Sequence, residues 1–209
     1  MRIVLIILYP LLVHASIVYK LPYLTGLAFF SLSTATLLDG LIRKSVTTWV
    51  AYLLLNILIL LLSFTSKAIY LSFLPPVLMP MVLFWIFFSS LLFGNEPVIT
   101  GIAESAHGPL TKAMRAYTRR ITVLWAFLTG LIAISAIFLP VFSSLETWSL
   151  CTNFINYILC GVLFIGEYYF RQWRFPDQHD SGFIEHVKIV IAAQIQGYAH
   201  KRKSNTFDP

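Results

Sequence analysis

The chain has 209 residues, 58% of them hydrophobic and only 11% charged, with a mean hydropathy of +0.78 and a formal net charge of +6. These values exclude an ordinary soluble globular domain and a polar disordered chain, and they place the protein in a membrane. A lone segment satisfies its backbone in a hydrocarbon layer roughly 30 Å thick only as a helix of about 20 largely apolar residues.

In chain order, six runs meet that need: Ile3–Tyr19, Leu21–Leu38, Thr47–Phe64, Ile69–Phe93, Ile121–Phe142 and Trp148–Phe170. The expected fold is therefore all-α, a polytopic integral membrane helix bundle of about six transmembrane helices. The first two runs are short and separated only by Lys20 and Pro22, which predicts a tight hairpin. Met1–Ser16 also has the layout of a secretory signal, with Arg2, an apolar core and small residues around Val13-His14-Ala15. The second apolar run follows at once and would itself serve as an anchor, which disfavours cleavage. In the fourth run Pro75, Pro76 and Pro80 predict a break or kink, with the helix beginning nearer Val77. In the fifth, Ala126 and Gly130 are spaced for close helix packing. Cys151 and Cys160 lie nine residues apart in the last run. On a regular helix they face opposite sides, about 13 Å apart along the axis, and cannot bridge.

Charge placement orients the runs. With the amino terminus in the cytoplasm, one side holds Arg2, Arg43, Lys44, four loop cations, Arg171, Arg174 and four tail cations, and the other holds only Lys20 and Lys67. That asymmetry is the positive-inside pattern, with both termini cytoplasmic. Trp49, Trp125, Trp148 and Trp173 fall near predicted span ends, where an indole bridges lipid and water. Residues 1–176 thus form a transmembrane bundle with a cytoplasmic loop at 94–120, and 177–209 form a cytoplasmic tail. In the tail, Phe183, Val187, Val190, Ile191 and Ile195 outline an amphipathic helix over 183–200.

The loop Gly94–Arg120 is the feature that topology alone explains least. It runs 27 residues and ends in Lys112, Arg115, Arg119 and Arg120. A topogenic role accounts for some of those charges, but long ordered loops tend to carry function. Pro97 to Ser105 predicts a short interfacial helix, and Pro109 suits the first turn of a second one running into the fifth span. Lys112, Arg115 and Arg119 share a helical face suited to lipid phosphates or an acidic partner; as a plain alternative it is a solvated stripe.

Acidic groups near spans are costly, and Asp39 and Glu167 each have an arginine four residues later, Arg43 and Arg171, which predicts two helical ion pairs. Both acids stand at helix carboxyl ends, where the macrodipole disfavours them. A polar cluster of Asp39, Arg43, Glu96, His107, Arg119, Arg120, Glu167 and Arg171 at the cytoplasmic mouth would offset that. His14, Asn56, Asn153 and Asn156 are expected to hydrogen-bond between helices. No phosphate loop, nucleophile elbow, zinc helix or cofactor motif is present, and His179, Asp180, Glu185 and His186 match no metal spacing.

The segments GNEPVI at Gly94–Ile99, AYTRRITVLWA at Ala116–Ala126 and GEYYFRQWRFPD at Gly166–Asp177 resemble a family of uncharacterised bacterial inner-membrane proteins found with enzymes that make aryl polyene or xanthomonadin-type pigment lipids. The resemblance covers roughly the second half of the chain. It implies a setting of carrier-bound polyene acyl chains and a lipid product, and it transfers no catalytic residue. The resulting expectation is a non-catalytic accessory protein whose basic face docks acidic acyl carrier protein or its enzymes, with membrane lipids as the other partner and no nucleic acid. The alternatives are a lipid or pigment exporter using Asp39 and Glu167, and an acyl-transfer enzyme using His107 as base.

Overall fold

The computed structural model describes residues 1–63, 71–92 and 94–175, with the backbone alone at Ala106 and His107. Among them, regular structure is entirely helical: α1 (Arg2–Val18), α2 (Tyr23–Ile42), α3 (Val46–Ser63), α4 (Leu74–Ser90), α5 (Val98–His107), α6 (Lys112–Phe142), α7 (Leu145–Leu150), a π-helical turn at Cys151–Ile155, and α8 (Asn156–Arg174). Four stretches among the described residues are long and apolar enough to cross a membrane: α2, α3, α6 and the continuous helix Leu145–Arg174. Apolar α1 and α4, at 17 residues each, are shorter. The amphipathic helix expected over 183–200 lies outside the described residues.

The chain divides into two compact units. The first comprises Met1–Pro80 and Leu131–Leu159, and the second Met81–Gly130 with the described residues from Cys160 onward. Helix α4 begins at Leu74, earlier than Val77, because Pro75 and Pro76 occupy its first turn, where a missing N–H leaves no helical bond unmade. Pro80 lies inside the helix.

In the second unit, Gly94 and Gly108, with φ of +80° and +78°, bracket α5. Both are left-handed positions that glycine adopts without strain. The first helical residue after Gly108 is Lys112, so Pro109 precedes α6 and does not form its first turn. Thr111 does the capping, its hydroxyl accepting from Met114 N–H at 3.3 Å. Along α6, Thr118, Thr122, Ala126 and Thr129 are all buried, a face of small residues. A Cβ added at Gly130 would stand 3.1 Å from Phe84 Cδ2, so this face admits aromatic rings of α4.

The first unit is built from two tight hairpins. Lys20 and Lys44, both at φ +54°, make the left-handed residue after α1 and after α2. Leu21 N–H reaches back to Ser16 O and Ser45 N–H to Gly40 O, each at 3.0 Å, which satisfies carbonyls the helix ends would leave bare. Pairs across each hairpin are centred on those turns. Ser16 bonds Thr25 at 2.7 Å, and Ser33 donates to Asn56 Oδ1 at 3.1 Å. A Cβ on Gly40 would stand 2.6 Å from Thr48 Cγ2, so glycine is what lets α2 and α3 touch there.

Trp148, expected near a membrane surface, is instead fully buried in this unit. Its indole N–H donates to Ala136 O at 3.0 Å and its ring lies 4.3 Å from that of Phe73. It joins Tyr9, Val13, Ile17, Phe29 and Ile59 in one core cluster. The reason is local: Ser144 caps α7 by accepting from Thr147 N–H, which places Trp148 on the first turn facing inward. Three residues on, the helix widens into the π turn, so the regular spacing assumed for Cys151 and Cys160 fails, although both thiols are free. Trp148→Ala is expected to destabilise the protein by about 3–5 kcal/mol through lost packing and a stranded Ala136 carbonyl, with Trp148→Phe milder. Thermal unfolding in detergent measures this, and equal melting of Trp148→Ala and the parent would contradict the core assignment.

Candidate functional site

The second unit gathers charge where α5 lies against the first turns of α6. Arg115 is the hub. Its Nη1 pairs with Glu96 Oε1 at 3.2 Å and its Nη2 pairs with Glu104. Thr100 and Thr118 share a buried hydrogen bond of 2.7 Å one turn along. Arg119 Nη2 donates to Leu91 O at 3.3 Å. Val98 N–H donates to Ser90 Oγ at 3.2 Å, closing the start of α5 onto the end of α4. The loop is therefore a folded clasp, and Arg115 serves it. Lys112 and Arg120 are exposed and make no ion pair among the described residues.

A second cluster joins α6 to α8. Arg171 Nε stands 3.4 Å from Glu167 Oε1, and each side chain is only 12% exposed. Tyr117 donates its hydroxyl to the same carboxylate oxygen at 3.2 Å, and its ring stacks on Phe170. Tyr117 stands ahead of the apolar run that starts at Ile121. Burial first, then the Glu167 carboxylate, raise its phenol above the ordinary range, while Arg171 lowers it in part. The phenol therefore remains a neutral donor, and the carboxylate at a helix carboxyl end gains a donor besides its arginine.

Asp39 does not pair with Arg43. Its carboxylate meets Arg2 Nη2 at 3.0 Å, and Arg2 Nε also donates to Ala35 O at 3.0 Å. The hairpin centred on Lys20 brings the start of α1 level with the end of α2, and this tertiary partner displaces the helical one. Arg43 instead closes α2 with its backbone N–H. Of the eight-residue cluster expected from sequence, Asp39 and Arg43 thus belong to the first unit, and Glu96, Arg119, Arg120, Glu167 and Arg171 to the second. The His107 side chain lies outside the described atoms. Tyr117 and Glu104 were absent from the expected set, because neither stands at helical spacing from the group it serves.

The first unit holds a constellation that sequence reading treated as separate packing donors. His14 Nδ1 lies 3.1 Å from Ser149 Oγ, and Asn153, 2% exposed, donates Nδ2 to the same oxygen at 3.1 Å. The His14 ring meets Phe154 edge to face. Asn153 and Thr152 sit on the π turn, a local geometry that recurs at functional sites. Five residues earlier on α1, the buried Tyr9 hydroxyl has no hydrogen-bond partner among the described residues. Among the described residues, no group of histidine, cysteine, aspartate or glutamate is arranged to hold a metal.

The Glu167 cluster gives a graded expectation. Glu167→Gln removes the negative charge that both Arg171 and Tyr117 meet and should cost more than Tyr117→Phe, which removes one charge-assisted hydrogen bond and should cost about 1.5 kcal/mol. Unfolding of the purified protein in detergent checks the order, and a Glu167→Gln variant as stable as the parent would remove the pair from the structural account. Comparison of the chain with protein-family models, with curated proteins and with solved structures found no match.

Proposed function

We propose that the chain is a multi-pass protein of the bacterial inner membrane, with six helices crossing the bilayer and both termini in the cytoplasm, and that it acts as a non-catalytic accessory of aryl polyene or related pigment-lipid synthesis. On this reading α1 and α4 cross despite their length, tilting little and letting flanking residues snorkel. The basic surface beside α5 and α6 draws acidic acyl carrier protein or its enzymes to the bilayer, where a hydrophobic product is handed over. Complementary charge chiefly accelerates such encounters.

The observation that carries the reading is the clasp. With Arg115 held by Glu96 and Glu104, its neighbours Lys112 and Arg120 are exposed on an ordered helix and make no ion pair among the described residues. A partner therefore meets a pre-set array and orders little of it on binding. Lys112→Glu with Arg120→Glu should lower carrier co-purification at least about tenfold, as the loss of two steering charges at low salt requires. Insertion and thermal stability should be unchanged, because both side chains are exposed and neither is paired among the described residues. Undiminished co-purification in a correctly inserted double variant would count against docking. Arg115 is unsuitable for this test, since its loss would also open the clasp.

The partly buried seam of His14, Ser149 and Asn153 at the π turn supports a second reading, a lipid or pigment exporter. Polar groups at hydrocarbon depth are default candidates for a transport path. Asn153→Leu should then leave pigment synthesis intact and trap product in the inner membrane. Normal distribution between inner and outer membranes would dismiss this reading and leave docking.

A further inference from the structure

Between α2 and α3, within the first unit, lies a cavity of about 560 Å³. Ligand sites commonly span about 300–1,000 Å³, so the space is adequate for a molecule larger than water. Its walls are formed by Leu27, Phe30, Ile59 and Leu60, with no charged side chain in the lining. The rims Leu27, Phe30 and Leu60 are 50%, 50% and 57% exposed, so the cavity is a slot open along its side. Gly26 belongs to the lining, and a Cβ there would stand 2.8 Å from Ser63 Oγ. The bare glycine keeps that end of the slot clear.

Besides the Tyr23 phenol, the polar residues in the lining, Asn56 and Ser63, are already hydrogen-bonded within the hairpin. Asn56 donates to Tyr52 O at 2.8 Å and accepts from Ser33 at 3.1 Å, and Ser63 donates to Ile59 O at 2.7 Å. A sugar, nucleotide or peptide would find few free donors or acceptors here. A hydrocarbon chain needs none, and both walls are helices long and apolar enough to cross a membrane. At one end the lining begins at Pro22, two residues after Lys20. Lys20 is exposed, fixed in the left-handed turn at φ +54°, and makes no ion pair among the described residues. The other described cations of this unit sit elsewhere: Arg2 pairs with Asp39, and Arg43 and Lys44 lie at the far end of α2. The slot is therefore mostly apolar, and Lys20 is the unpaired cation among the described residues that adjoins its Pro22 end in sequence.

We propose that this cavity holds one acyl chain of an anionic phospholipid, with Lys20 beside its phosphate. The side opening lets the chain enter from the bilayer and leaves the lipid's second chain outside. The inference stands apart from the docking surface, which belongs to the other unit.

The test reconstitutes the full chain in phosphatidylethanolamine vesicles carrying a trace of phosphatidylglycerol with a diazirine on one acyl chain, and maps photo-crosslinks by peptide mass spectrometry. Crosslinks should concentrate on the peptides holding Leu27, Phe30 and Leu60. Lys20→Gln should reduce them about fivefold, the effect of one cation near an anionic surface. A phosphatidylcholine probe should label the slot weakly and be indifferent to Lys20→Gln. Leu60→Trp, at an exposed position where folding is not at stake, should fill the slot and reduce labelling further. Gly161→Leu, where an added Cβ meets nothing within 4 Å, should have no effect. Labelling spread evenly over Leu54, Leu58 and Leu61 would mean an ordinary lipid annulus and would overturn the proposal. So would slot labelling unaltered by both Lys20→Gln and Leu60→Trp, or labelling by a free fatty-acid probe alone. Carrier co-purification is unaffected by any of these outcomes, so failure here and failure of the docking reading are distinguishable.

Discussion

In a hydrocarbon layer an apolar side chain gains nothing by exchanging lipid for a neighbouring helix, so helices must be held by close packing and by polar groups that find partners across the contact. Much of this structure answers that constraint. Leu54, Leu58 and Leu61 on α3 stay outward, while the contacts that bind α3 to α2 are Gly40 against Thr48, Ser33 with Asn56, and Thr34 with Tyr52. The same logic sets Gly130 against Phe84 and joins Thr100 to Thr118. At these contacts small and hydroxylated residues face in while leucines face out, beside a core of larger apolar side chains around Trp148.

The two hairpin turns convert that local rule into long-range geometry. A lysine at positive φ carries a strain of about 1–2 kcal/mol that glycine would avoid. At Lys20 and Lys44 the strain is offset by the carbonyls each turn satisfies and by the charge kept near a helix carboxyl end. Once the turn is set, every pairing along the hairpin follows from it. Ser16 with Thr25 and Arg2 with Asp39 share one register centred between Lys20 and Leu21. Gly26 with Ser63 and Ser33 with Asn56 share another, centred between Lys44 and Ser45. The acyl slot lies in the second register, and the cation near its end is the turn residue of the first.

Helix positions were legible because hydropathy responds to the solvent and needs no knowledge of neighbours. The break at Gly108, the helix over Val98–His107 and the Glu167–Arg171 pair were also readable, each from residues close in sequence. What escaped depends on residues far apart. The Arg43 reading failed because a helical neighbour four residues away was weighed against nothing else, although a hairpin as tight as Tyr19–Pro22 fixes which residue stands opposite Asp39. Trp148 escaped because an indole near the end of an apolar run looks the same whether it meets lipid headgroups or Phe73. The π turn has no composition signal at all. His14, Ser149 and Asn153 were each visible, but their convergence was not.

The basic loop shows most clearly why counting charges misleads. Lys112, Arg115 and Arg119 recur at helical spacing and look equivalent. The fold gives them three different tasks: Arg115 neutralises Glu96 and Glu104, Arg119 holds a carbonyl at the end of α4, and Lys112 makes no ion pair among the described residues. Arg120, off the face defined by spacing, likewise has no ion pair among the described residues. A guanidinium with five donors in a planar fork can join two carboxylates at once, whereas an ammonium on a flexible stem is better kept hydrated. The chemistry of the side chain, more than its place in the stripe, decides which cations are consumed by the fold. On the docking reading, recognition rests on the residues left over among those described, Lys112 and Arg120, and on the rigidity that Arg115 supplies beneath them.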